Sequence, residues 1–311
     1  MDKIGFIVNH LGFRGTEIAV YDYMKGCRDI LKKSPFLFYP IDGDMSCFEK
    51  FSEEFPGKMI SYSELSDLEI SVKKEQMDVV YWIKAGFRDD NLIPGVKNIV
   101  HAVFDINHPH GDVYAHVSSW LAKRNKTLFV PHIVSLPDHD TNFREFLGLP
   151  KDALVFGRYG GYDQFDVEYL SSVIKNVIYK NANTYFLLMN TKSLGFTHPN
   201  VIYLEATFDL DSKRAFLNTI DCFLHGRTDG ESFGLAVCEA LFCNKPVISN
   251  IECRDRHHIE LMKDKGFYYS SAVELEVILS NFNRPDFNYR SLVEQFSEEK
   301  VMEQFNNVFL K

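Results

Sequence analysis

Residues 228 to 249 read "TDGESFGLAVCEALFCNKPVIS", and their reading decides the fold. Two carboxylates, Glu231 and Glu239, flank a segment otherwise as apolar as a buried helix. Ser232 is the expected N-cap, with Phe233 opening a helix that runs to about Cys243 and stops before "NKP", after which "PVIS" reads as a buried strand. The amides of Phe233, Gly234 and Leu235 then form an anion site at the positive end of the helix dipole, and Gly234 permits close approach of a ligand. At about 1.5 Å per residue, the span from Glu231 to Glu239 is roughly 12 Å of helix axis. A nucleotide sugar fits that frame, with its pyrophosphate at the helix start, sugar hydroxyls on Glu231 and ribose hydroxyls on Glu239. The competing reading makes Glu231 a solvated turn residue and Glu239 a helix glutamate facing water. For Glu239 that reading is the weaker one, because Val237, Cys238, Ala240, Leu241 and Phe242 leave little polar face around it.

Outward from this stretch, short apolar runs alternate with longer amphipathic segments, the pattern of a parallel sheet covered by helices. "KIGFIVN", "PFLFYPI", "DVVYWIK", "KNIVHAV", "VYAHVSS" and "TLFVPHI" are strand candidates in the first half. "ALVFGRYGG", "TYFLLMN", "NVIYLEA", "CFLHGRT", "KPVISNI" and "GFYYS" continue the series in the second. Their apolar character suits burial on both faces. The polar, proline-punctuated "SLPDHDTNFREFLGLPKD" marks an interdomain connection. The expected division is a first α/β domain over 1–134, a second over 135–289, and an amphipathic C-terminal helical segment over 290–311 that packs back toward the domain junction.

The chain has 311 residues and a net charge of −9, which argues against general affinity for nucleic acid or anionic lipid. The N-terminal "MDKIGFIVNH" reads as a first strand and not as a signal peptide, and no apolar run is long enough to span a bilayer. Cysteines at 27, 47, 222, 238, 243 and 253 lack the paired spacing of a zinc or redox motif, so the expected setting is reducing and cytoplasmic.

"GESFGLAVCEALFCNKPVIS" resembles the donor-site motif of retaining glycosyltransferases of the GT-B architecture, in particular the large family-four group. Further resemblances follow in order: "LGFRGTE", "VHAVFD", "GRYGG" and "DCFLHGR". The resemblance implies two Rossmann-like domains with a cleft between them, and transfer of a sugar from a nucleotide-sugar donor to an acceptor with retention. It implies no separate cofactor and no metal, the nucleotide sugar being a co-substrate, and it leaves the carbohydrate, protein or lipid-linked acceptor unspecified. By position, Glu231 corresponds to the residue that contacts the donor sugar, Ser232, Phe233, Gly234 and Leu235 to the loop approaching sugar and phosphate, and Glu239 to the ribose ligand. Arg158 corresponds to the arginine that stabilises the departing diphosphate. The family lysine expected a few residues later is absent, Asp163 and Gln164 standing there. Arg227, close to the donor loop, is the preferred second positive charge, with Lys192 the other candidate.

In the first domain, Gly12, Gly15 and Glu17 form a loop after the first strand, and Thr16 is the expected cap of the following helix. The loop is not a dinucleotide fingerprint, so NAD is not implied. "HAVFDINHPHGDVY" supplies Asp105 and His110, whose place at a strand end resembles that of family residues approaching the reacting sugar. His101 has the alternative reading of a satisfied core histidine. Zinc on His108 and His110 is disfavoured, because their spacing is not a helical i, i+4 pair. The rival functions are a nucleotide-sugar epimerase or hydrolase of the same architecture, and a non-catalytic nucleotide-sugar-binding protein.

Overall fold

The computed structural model describes residues 2–12 and 15–311. The chain divides into two compact units, one comprising Met1–Ile133 with Gln295–Lys311, the other Val134–Glu294.

The first unit is built on seven parallel strands, β1 (Lys3–Ile7), β2 (Ser34–Pro40), β3 (Met59–Tyr62), β4 (Val79–Lys84), β5 (Lys97–Ala102), β6 (Val113–His116) and β7 (Leu128–Phe129). Their order is β3-β2-β1-β4-β5-β6-β7. Strand β3 is short and half exposed at the sheet edge, so its sequence carries no apolar run and was not among the expected strands. Helices α1 (Gly15–Asp29), α2 (Phe48–Glu54), α3 (Leu65–Lys74) and α4 (Ser119–Asn125) join these strands. The central strands β1, β4 and β5 are almost wholly buried, as two-sided cover requires.

The second unit repeats the plan with β8 (Leu154–Arg158), β9 (Thr184–Met189), β10 (Val201–Leu204), β11 (Cys222–His225), β12 (Gly230–Glu231), β13 (Val247–Asn250), β14 (Asp255–Arg256) and β15 (Phe267–Tyr269). The main parallel sheet runs β10-β9-β8-β11-β13-β15, and β12 pairs with β14 in a separate ribbon. Helices α5 (Leu170–Lys180), α6 (Leu210–Thr219), α7 (Leu235–Phe242), α8 (His257–Met262) and α9 (Ala272–Ser280) complete the unit. Its core includes Phe156, Ile174, Phe186, Leu224, Ile248 and Leu275. Strand order reverses between β8 and β11, the place where open α/β sheets leave a crevice at their carboxyl ends.

After the second unit the chain forms short 3-10 turns and then α10 (Glu298–Phe305), capped by the Ser297 hydroxyl, which accepts from the Lys300 amide. This helix returns to α1, where the absence of a side chain at Gly26 makes room for Met302: a Cβ there would lie 2.5 Å from Met302 Cγ and Sδ. Phe305 and Phe309 enter an aromatic cluster with Tyr23, Tyr81 and His101. All six cysteines are unpaired. No helix of the described residues is long and apolar enough to cross a membrane.

Candidate functional site

The switch point of the second unit brings Arg158, the last residue of β8, beside His225, the last residue of β11. Between β11 and α7 the chain makes a tight excursion that the sequence explains residue by residue. Asp166 accepts a hydrogen bond from the Thr228 amide at 2.8 Å, and the Asp166 amide donates to Gly226 O at 2.9 Å, so the 226–228 turn is pinned. Gly230 has φ +73° and its missing Cβ would lie 2.1 Å from Asp255 O, where only glycine fits the β12–β14 ribbon.

Helix α7 begins at Leu235 with Gly234 as its N-cap, in the left-handed region at φ 86°. The expected cap, Ser232, therefore lies two residues before it. The reason is steric: a Cβ at Gly234 would sit 2.9 Å from Glu231 Cβ and Cγ, so the glycine both turns the chain and lets Glu231 fold over the helix start. The first intrahelical bond runs from the Cys238 amide to Gly234 O, leaving the amides of residues 235 to 237 at the helix mouth. Phe233 turns inward: its buried ring stacks on His257 at 5.1 Å, so only its backbone faces the loop.

Glu231 is held on both oxygens. His225 Nε2 lies 3.0 Å from Oε1, and Arg227 Nη1 donates to Oε2 at 3.2 Å. Burial works to raise the Glu231 pKa, but the His225 hydrogen bond and the charges of Arg227 and Arg158 outweigh it and hold the carboxyl below its usual range. Its side chain keeps 17% of its exposure. A charged acceptor with an open side is thus fixed above the helix mouth.

Glu239 is almost fully buried. The Tyr159 hydroxyl donates to Oε2, and Lys213 Nζ donates to Oε1 at 2.6 Å. Burial and the neighbouring Glu239 push the Tyr159 phenol well above its ordinary pKa, which keeps it a donor. Its ring packs edge-on against Phe216 and Phe223. Each carboxylate oxygen has a second lone pair beyond these contacts.

Arg158 is 3% exposed and its guanidinium works as a brace: Nη1 donates to Asn190 O and Thr191 Oγ1, and Nη2 donates to Gly161 O. Burial lowers its pKa to about 10, against the charges of Glu231 and Asp166, so the group remains a cation at neutral pH. Arg227 is 18% exposed and belongs to the Glu231 cluster. Lys192 stands 71% exposed in a long 3.8 Å ion pair with Asp163. The charges of Arg158 and Arg227 therefore act on Glu231, while Glu239, in the middle of α7, has partners of its own.

Beside α6, a recess of about 230 Å3 is lined by Phe143, Phe146, Met189, Leu204, Thr207 and Ser212, among others. His225, Ser249, Tyr159 and Lys213 were not among the expected site residues. The quoted "DCFLHGR" held the signal for His225, a polar residue closing an apolar strand; nothing local marks Lys213 on its polar helix.

The first-unit candidates have other surroundings. Asp105 accepts from Arg124 Nε at 2.9 Å and Asn125 Nδ2 at 2.8 Å, on the last turn of α4. His110 is buried and its Nδ1 lies 2.8 Å from His108 O, next to the Gly111–Asp112 turn that docks on Asn98 near the start of β5. Among the described residues these two share no hydrogen-bond partner. Gly15 is the first residue of α1, which places Thr16 inside the helix instead of at its cap; Thr16 Oγ1 donates to Glu17 Oε2 at 2.8 Å. Phe13 and Arg14 of the "LGFRGTE" loop lie outside the described residues. Among the described residues no three His, Cys, Asp or Glu side chains are grouped as a metal site requires.

Solved structures match this chain over nearly its whole length. Anabaena HepE in complex with UDP and glucose aligns with TM-score 0.73 at 16% identity, covering 99% of each chain. A glycosyltransferase from Rickettsia africae aligns at 0.66 and 14%, covering 99% of this chain and 94% of its own. The lipopolysaccharide outer core galactosyltransferase WaaB, in its apo form, aligns at 0.66 and 14%, covering 99% of each. These likenesses establish the fold as GT-B, two Rossmann-like α/β domains. No protein-family model matches the sequence, and no curated protein matches it.

Proposed function

We propose that this chain is a retaining glycosyltransferase that takes a hexosyl group from a uridine diphosphate sugar. The observation that carries this reading is the pair of fixed carboxylates, Glu231 four residues before α7 and Glu239 in its middle, with the charges of Arg158 and Arg227 acting on the first of them. UDP and UDP-glucose are ligands of the HepE complexes, and the recess beside α6 offers apolar walls of the kind a base requires.

In this reading Glu239, oriented by Tyr159 and Lys213, accepts from the ribose hydroxyls with its remaining lone pairs. Residues 235 to 237 offer amides to the diphosphate. Arg227 supplies the second positive charge in place of the absent lysine. Arg158, braced by Asn190 O, Thr191 Oγ1 and Gly161 O, acts through the field of a buried and poorly screened cation. Glu231 accepts from the sugar and fixes it for attack. As the anomeric C–O bond to the β-phosphate breaks, the acceptor oxygen bonds to the same face and its proton passes to the departing phosphate oxygen. No side-chain base and no metal is assigned to this step, and the acceptor, a carbohydrate, protein or lipid-linked group, is assigned to the first unit in a cytoplasmic setting.

The test is a thermal-shift panel of UDP, GDP and ADP followed by UDP release from UDP-glucose with and without candidate acceptors, the product anomer being read by NMR. UDP should raise the melting temperature by mass-action linkage. Transfer dependent on an acceptor supports the reading. Turnover without any acceptor would establish a hydrolase or epimerase, and binding without turnover a non-catalytic protein.

A further inference from the structure

Behind Glu231 the contacts continue inward through groups for which the proposed reaction has no use. His225 Nδ1 lies 2.9 Å from Ser249 Oγ, and Ser249 Oγ lies 3.0 Å from His258 Nε2. The two imidazoles sit 4.8 Å apart, centroid to centroid. Ser249 and His258 have no exposure, and His258 Nδ1 is buried with no hydrogen-bond partner among the described residues.

The proton positions follow from what each atom can do. A carboxylate only accepts, so the His225 nitrogen facing Glu231 must carry hydrogen. A ring with one proton then presents a lone pair at Nδ1, which requires the Ser249 hydroxyl as donor. The hydroxyl has two acceptors in reach, His225 Nδ1 at 2.9 Å and Asn250 O at 3.3 Å, and with its hydrogen on the nearer one Ser249 Oγ accepts from His258 Nε2–H. The atom left over is His258 Nδ1, now a bare lone pair. The orphan seen in the structure is the end of the chain, placed where an unpaired acceptor and not an unpaired N–H remains.

We propose that Glu231, His225, Ser249 and His258 form one directional hydrogen-bond chain that positions Glu231 for the donor sugar, with His225 and His258 both in the Nε2–H tautomer. The role of the chain rests on the glycosyltransferase reading above; the tautomers do not. His225 never touches the sugar in this arrangement: it is a positioning residue. It occupies one lone pair of Oε1 and so directs the other toward the ligand, while the Ser249 hydroxyl, donating to Nδ1, keeps the ring proton on the Nε2 that faces the carboxylate. The position selects between sugars by where their hydroxyls fall.

Two measurements test this. Nitrogen-15 NMR of histidine-labelled protein at neutral pH should show His225 and His258 as neutral rings protonated at Nε2; a ring protonated at Nδ1, or a doubly protonated His225, would overturn the chain. Calorimetry with UDP and with UDP-glucose then reads its consequence. His225→Ala should leave UDP affinity within about twofold and weaken UDP-glucose by tenfold or more, while His225→Gln, which can still donate to Glu231 and accept from Ser249, should recover most of the loss. Ser249→Ala should weaken UDP-glucose by a smaller factor. Equal loss of UDP and UDP-glucose in His225→Ala, or no rescue by glutamine, would make the residue merely structural and overturn its positioning role. Wild-type protein that bound neither probe would overturn the donor reading, and the tautomers would still accept or reject the chain.

Discussion

Two buried histidines, one in each unit, end strands of similar design and do opposite things. His101 lies next to the end of β5 with Nδ1 2.6 Å from the Tyr81 hydroxyl and Nε2 within 3.2 Å of both His116 O and Val130 O. Every polar atom is answered within the core, aromatic rings close around it, and burial drives its pKa down to about 3. His225 ends β11 and is buried too, yet one of its contacts is a carboxylate that retains an open side. A closed network of neutral donors and acceptors stabilises a fold. A network that terminates on a partly exposed charge holds that charge in readiness for something else.

The largest effect is expected in the first unit. Phe305→Ala removes a ring packed against Phe6, Tyr23, Tyr81 and Phe309, and should cost about 3–5 kcal/mol in urea unfolding. UDP binding by protein that remains folded should be unchanged; a parallel loss of binding would mean that the two networks do not have separate roles.

On the other side, Glu239→Ala should weaken UDP and UDP-glucose together by about 1–3 kcal/mol, since the ribose contact is common to both. Glu231→Ala should spare UDP and weaken only the intact donor. Calorimetry showing the same pattern for both variants would remove the two-ended arrangement along α7.

A sharper test uses pH. His101 has a folded pKa near 3 against an ordinary value of 6.5, so the unfolded state binds the extra proton and stability falls as pH drops through the interval between them. From pH 7 to pH 5 this group alone should cost about 2 kcal/mol. His116 and His258, also depressed by burial, add in the same direction. Unfolding curves of wild type and His101→Gln should therefore converge on acidification; parallel curves would show that His101 is not the closed, neutral group described.

The smallest expected effect concerns the segment that completes the first cluster. Ser297→Ala removes the cap of α10 and should cost about 1 kcal/mol, with UDP affinity unaltered.

How much of this was legible beforehand follows from where the information lies. Strand runs and the paired glutamates are local, and a parallel sheet carries strand ends to one edge, so the α/β class and the cluster of Arg158, Arg227 and Glu231 could be anticipated. Gly234 displaced Ser232 as the helix cap because its need arises from Glu231 folding back over it, a contact that no capping preference encodes. Lys213 reaches Glu239 from 26 positions away, and Ser249 reaches His225 from 24. Periodicity cannot disclose such pairs. Asp105 and His110 looked alike as polar residues after a strand, but a ten-residue return to β6 carries the chain away from the strand end, and each found partners of its own.

The return of α10 to α1 also sets an order of events during synthesis. Residues 134 to 294 form a unit from one continuous stretch, whereas the first unit lacks Met302, Phe305 and Phe309 until that entire stretch has been translated. At bacterial to eukaryotic elongation rates the delay is roughly 10–30 s, long compared with the folding of a single domain. The unit encoded first is thus the last to be completed, its aromatic slot standing unfilled until the final residues of the chain are made.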